Sequence, residues 1–129
     1  MKFGMLDAEW EQKKEDALRF LIQAAEEKRT IYYHELASKL WPTGGQSYWF
    51  RYIGQFLGEV WTEAEKRGYG PLTCLVLRKD LAMPSGGFFI EARERGYEVN
   101  DFRAFFVEQR ERVWRLAAEK KILSQEGGK

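Results

Sequence analysis

Apolar residues recur at three- and four-residue spacing through Trp10, Ala17, Leu18, Leu21, Ile22 and Ala25, which predicts a long amphipathic helix over residues 7–28 with Asp7 as its N-cap. Glu11, Lys13, Lys14, Glu15, Asp16, Arg19, Glu26, Glu27 and Lys28 fall between them and read as a solvated, mixed-charge face. The β-branched pair Thr30-Ile31 breaks the pattern. A short second helix then spans Tyr33 to Leu40, with Leu36, Ala37 and Leu40 inward. Trp41-Pro42 ends it, and Pro42-Thr43-Gly44-Gly45 has turn chemistry. A third helix, capped by Gln46 or Ser47, runs to about Arg67, where Gly68 and Gly70 stop it. Its core stripe is Phe50, Ile53, Leu57, Val60, Trp61 and Ala64; Tyr48, Trp49, Tyr52 and Phe56 cannot all share that stripe.

The run Leu72 to Leu77 is short, apolar and bounded by Pro71 and by Arg78-Lys79-Asp80, so it reads as a buried strand. Gly86-Gly87-Phe88-Phe89-Ile90 would return antiparallel to it as a hairpin or wing. Residues 93–96 read as irregular, and Asn100 caps a last helix over residues 100–121 with Phe102, Phe105, Phe106, Val113, Leu116 and Ala117 inward. The expected fold is α+β and mostly helical. It has a winged helix-turn-helix-like core over residues 30–90, a small antiparallel β-hairpin, and long N- and C-terminal helices. Residues 1–129 form one domain, long enough to bury a real core.

Composition narrows the function classes. The 21 basic and 20 acidic side chains leave a net charge of +1, so no global field draws the chain onto a polyanion and any nucleic-acid contact must rest on a local patch. Aromatics are 16% of the residues, more than a core this size requires, so some are expected at the surface. The single cysteine, Cys74, excludes an intramolecular disulfide, and no Cys/His cluster has metal-ligand spacing. These features, with no membrane-span pattern and no signal-peptide run at the N-terminus, predict a cytoplasmic protein.

Catalytic chemistry finds few candidates. His34 and Glu35 are neighbours on one helix and point about 100° apart, so they form no dyad. Cys74 lies among Leu72, Leu75 and Val76 and reads as a buried, inert thiol. Glu59, Glu63, Glu65, Asp80 and Glu91 would have to gather to hold a divalent ion, and their spacing carries no such signature. Gly86-Gly87 lacks the phosphate-loop pattern. No catalytic residue, cofactor or metal is therefore expected. Binding has better residues: Arg51 sits amid Tyr48, Trp49 and Tyr52 on the third helix, with Lys39 ending the second helix and Arg78 and Lys79 closing the strand.

In order along the chain, Tyr33-His34-Glu35-Leu36-Ala37, Arg51-Tyr52-Ile53-Gly54, Leu72-Thr73-Cys74-Leu75-Val76 and Gly86-Gly87 stand where one family carries four short motifs. Those motifs are Tyr-Gly-Glu-Leu-Ala, Arg-Ala-Val-Gly, Pro-Cys-His-Arg-Val and a Gly-Gly turn. This region resembles the DNA-binding domain of the O6-alkylguanine alkyltransferases and their non-enzymatic alkyltransferase-like relatives. The resemblance implies a winged helix-turn-helix that enters the minor groove, with Arg51 filling the gap left by a flipped base and Tyr33 near the backbone that rotates. The Pro-Cys-His-Arg sequence is absent, so the histidine that activates the family's cysteine is missing and alkyl transfer by Cys74 is disfavoured. The expected function is non-catalytic DNA binding through Tyr33, Lys39, Tyr48, Trp49, Arg51, Tyr52, Arg78 and Lys79. The competing expectation is a protein-interaction module, such as an immunity protein or antitoxin that occludes a partner enzyme.

Overall fold

The structure is a computed structural model that describes the backbone of residues 7–44 and 46–127 and the side chains of residues 7–44 and 51–125. The chain is mostly helical. Helix α1 (Asp7–Glu26) leads into strand β1 (Ile31–Tyr32), then α2 (Tyr33–Leu40) and α3 (Gln46–Lys66). One turn of 3₁₀ helix (Leu72–Leu75) runs directly into strand β2 (Val76–Leu77), and α4 (Gly86–Glu94) and α5 (Phe102–Gly127) complete the fold.

The apolar spacing of α1 does what it predicts: Trp10, Ala17, Leu18, Leu21 and Ala25 are buried, and Ile22 is half-buried against the same core. Leu36, Ala37 and Leu40 of α2 are buried too. The Tyr32 backbone N–H donates to the Glu35 carboxylate (3.0 Å), which satisfies an amide at the helix start that has no intrahelical partner. Lys13 of α1 donates to the Leu40 carbonyl and lies over the Trp41 ring, tying α1 to the end of α2.

Helix α3 is two helical segments joined by a kink at Tyr52 (φ −121°, ψ 17°). Beyond it, Phe56, Val60, Trp61 and Ala64 are buried. Phe56, one of the aromatics that could not all share the stripe, belongs to the core, where Trp10 meets its ring edge-on at 5.3 Å. The helix stops as expected. Gly68 takes a left-handed φ of +83°, the Gly68 N–H donates to the Glu65 carbonyl (3.0 Å), and the Tyr69 N–H donates to the Ala64 carbonyl (2.9 Å).

Several expectations fail between residues 72 and 102. Leu72–Leu75 is a buried 3₁₀ turn packed against α1, α3 and α5, not a strand; only Val76 and Leu77 are extended. The two-stranded sheet is parallel rather than an antiparallel hairpin, pairing Ile31 with Val76 and Tyr32 with Leu77. A parallel pair needs a long crossover, which α2 and α3 supply. The segment expected to return as a wing strand is helix α4 instead, where Phe88, Phe89 and Ala92 bury at helical spacing and the Phe88 N–H donates to the Ser85 carbonyl. The last helix begins later than expected. Asp101, not Asn100, caps it, its carboxylate accepting from the Ala104 N–H at 2.8 Å. Phe105, Phe106, Val113 and Ala117 are buried, whereas Phe102 is exposed on one face and stacked on Phe89 with ring centroids 4.2 Å apart.

Helices α3 and α4 are pinned by Arg95. Its guanidinium lies 4.4 Å from the Trp61 ring centroid and donates to the Gly58 carbonyl (2.8 Å), the Thr62 hydroxyl (3.0 Å) and the Glu91 carboxylate (3.0 Å). Among the described residues no helix is long and apolar enough to cross a membrane.

Candidate functional site

The parallel pairing sets the site, because it brings the start of α2 beside the chain that leaves β2. Tyr32, Tyr33 and His34 line an open groove of about 490 Å³. Arg78, Lys79 and Asp80, which follow the paired strand β2, line the same groove with Ile53 of α3 and Leu77. The His34 ring stacks on Tyr32 (5.8 Å, 15° between planes). The groove leads into a smaller hollow of about 110 Å³ that shares Tyr33, Ile53 and Ser85 and is bounded by Gly54, Leu57 and Phe88. Across the junction the Tyr33 hydroxyl donates to Ser85 Oγ at 3.1 Å.

The cations on this face are unequal. Arg78 forms a two-pronged pair with Asp80 (Nε–Oδ1 3.1 Å, Nη2–Oδ2 2.7 Å), which offsets its charge. Lys79 is exposed beside it, with no ion-pair partner among the described residues. Arg51 is exposed on the segment of α3 that precedes the kink, three residues before Gly54 of the hollow.

Of the residues expected to dock a ligand, the groove therefore brings together Tyr33, Arg78 and Lys79. Lys39 is elsewhere: its ammonium lies 5.8 Å from the Phe20 ring centroid, in a separate hollow with Asp16, Arg19 and Gln23 on the α1 side. Six positions separate Lys39 from Tyr33, and at about 100° per residue that turns it well away from the groove. Tyr52 is half-buried against the core at the kink. Tyr48 and Trp49 lie on the first turn of α3, and their side chains are outside the described residues. Sequence reasoning missed Tyr32, Ile53 and Ser85 as groove residues. Ser85 had a signal, since a serine before an apolar run is also a helix N-cap.

Cys74 is fully buried, and desolvation pushes its thiol well above the usual range despite the fields of Arg110 and Arg112. The carboxylates considered for a metal are each held by different partners. Glu59 accepts from Trp10 and Gln55, Glu63 from Arg67, Glu65 from Trp61 and Tyr97, Asp80 from Arg78, and Glu91 from Arg95. Among the described residues no three metal-ligating side chains cluster. The groove is lined by aromatic and aliphatic side chains together with Arg78 and Lys79.

Comparison of the chain with protein-family models, with curated proteins and with solved structures finds no match.

Proposed function

We propose that this chain is a non-catalytic nucleic-acid-binding protein that docks on DNA through the groove face. In this reading α2 and α3 act as the helix-turn-helix pair, and the loop at residues 78–83 serves as the wing. The observation that carries it is that Tyr32, Tyr33 and His34 line one open groove together with Arg78 and Lys79. Aromatic faces suit bases and cations suit phosphates, and both line one groove here. Arg51, with Tyr48 and Trp49 on the preceding turn, extends the contact along α3.

The near-zero net charge limits the electrostatic part. Arg51 and Lys79, with Arg78 offset by Asp80, predict a slope of log affinity against log salt of about −2. The test is fluorescence anisotropy of labelled single- and double-stranded oligonucleotides at low and moderate salt. Saturable binding should appear, and Arg51→Ala should weaken it while flattening the salt slope by about one unit. No salt-sensitive binding at tens of micromolar protein would end this reading.

A second reading has its own support. The adjacent Ile122 and Leu123 near the end of α5 are 55% and 65% exposed, an apolar pair of the kind a protein partner covers. An immunity-protein or antitoxin role would give a complex that barely responds to salt, recoverable by pull-down.

A further inference from the structure

We infer that the hollow between α3 and α4 binds a small apolar α-amino acid as its zwitterion, whatever docks on the wider groove outside it.

The hollow measures about 110 Å³. At roughly 10–15 Å³ for each water-sized group, that space takes on the order of eight non-hydrogen atoms, the size of valine. Ile53, Leu57 and Phe88 give it apolar sides. Two glycines stand one turn apart on α3 beside it. A Cβ on Gly58 would lie 2.8 Å from Glu91 Oε1, so Glu91 packs where that side chain would be, whereas a Cβ on Gly54 would meet nothing within 4 Å. Gly54 lines the hollow, and its missing side chain leaves the entrance open.

The polar groups of the hollow fall into two kinds. Thr73 lines it from the 3₁₀ turn and is only 4% exposed, yet its hydroxyl makes no hydrogen bond among the described residues. A buried hydroxyl without a partner is costly, and a ligand oxygen in the hollow would satisfy it. Ser85 Oγ accepts from Tyr33, which leaves its own proton free, and it makes no capping bond to α4. Gly87, also in the lining, belongs to the first turn of α4, whose amides have no intrahelical acceptor. Hydroxyl donors at the positive end of a helix suit a carboxylate. Glu91 is of the opposite kind: its Oε1 accepts from Arg95 (3.0 Å), and its Oε2, without a partner among the described residues, suits an ammonium. A carboxylate ligand alone would face the Glu91 charge, and an amine alone would leave Thr73 and the start of α4 unmatched. An α-amino acid matches both, with its side chain against Ile53, Leu57 and Phe88.

The experiment titrates the full-length, ¹⁵N-labelled protein with L-valine and L-leucine and follows the backbone amides by NMR. Saturable shifts in the millimolar range should centre on Gly54, Thr73, Gly87 and Glu91. Isobutylamine and isovalerate, which lack the carboxylate and the ammonium of valine, should each bind roughly tenfold more weakly or worse. Thr73→Val keeps the shape of the side chain and should weaken L-valine roughly tenfold. Gly54→Leu should abolish binding while melting no lower than wild type, because the hollow has room for the side chain and leucine favours a helix over glycine. No saturable shift from either amino acid at tens of millimolar overturns the site. Isobutylamine or isovalerate binding as well as L-valine overturns the zwitterion, and a Gly54→Leu protein that binds like wild type overturns the placement in the hollow.

Discussion

The Tyr33 hydroxyl donates a hydrogen bond to Ser85 Oγ across 3.1 Å, joining the first turn of α2 to the residue before α4 over a span of 52 positions. This bond holds together the two sides of the groove whose sequence segments are far apart. Tyr33→Phe keeps the ring and removes the bond, so it should cost about 1 kcal/mol, the usual net worth of one hydrogen bond. Chemical denaturation measures that loss. Oligonucleotide affinity should fall as well, because the groove walls would no longer be fixed against one another. A variant as stable as wild type that binds equally well would show the bond to be incidental.

Lys39 and Lys79 make opposite predictions although both are exposed lysines. Lys39→Ala should leave nucleic-acid affinity and its salt slope unchanged, because its ammonium sits over Phe20 on the α1 side. Lys79→Ala should lower affinity and flatten the slope by about one unit. A matched pair of anisotropy titrations decides the point, and equal losses would place the docking surface across both faces.

Cys74 is predicted to be inert. In the native protein a thiol reagent should label it only as fast as the fold opens, since the side chain is fully buried and burial raises its thiol well above neutral pH. Cys74→Ser should destabilise by about 1–3 kcal/mol through a buried hydroxyl, with nucleic-acid affinity intact. Labelling at the rate of an exposed cysteine would contradict the packing of the 3₁₀ turn.

Acid should weaken the contact between α1 and α3. The Arg67 guanidinium donates to Glu15 (2.8 and 3.2 Å), and this hydrogen bonding, outweighing a smaller desolvation, holds the Glu15 carboxyl below its ordinary value. A depressed carboxyl stabilises the fold above its unfolded-state value, and that stability is lost as pH falls through the lower folded value. The expected loss is below about 1 kcal/mol, because both side chains are partly exposed and screened. Glu15→Gln should remove that part of the stability difference between neutral pH and pH about 3; an identical acid response in the variant would assign the effect to other carboxylates.

Sequence alone determined the helices that obey one clear period and meet clear stops. The span of α2 follows from Leu36, Ala37, Leu40 and the Trp41-Pro42 break, and the end of α3 follows from Gly68, because helix spacing and terminator chemistry act over a few residues. The burial of Cys74 was legible for the same reason, from the apolar residues around it. Only the tertiary structure decided what lies between Leu72 and Phe102. Short apolar runs such as Leu72–Leu77 and Phe88–Ile90 carry no period long enough to separate strand from helix, so their packing partners choose. The 3₁₀ turn forms where α1, α3 and α5 close over it, and β2 pairs with a strand lying before α2 rather than with the chain that follows. The groove inherits that choice. Tyr33, Ile53, Arg78 and Ser85 meet because Ile31 pairs with Val76, a contact between distant positions that local pattern does not encode.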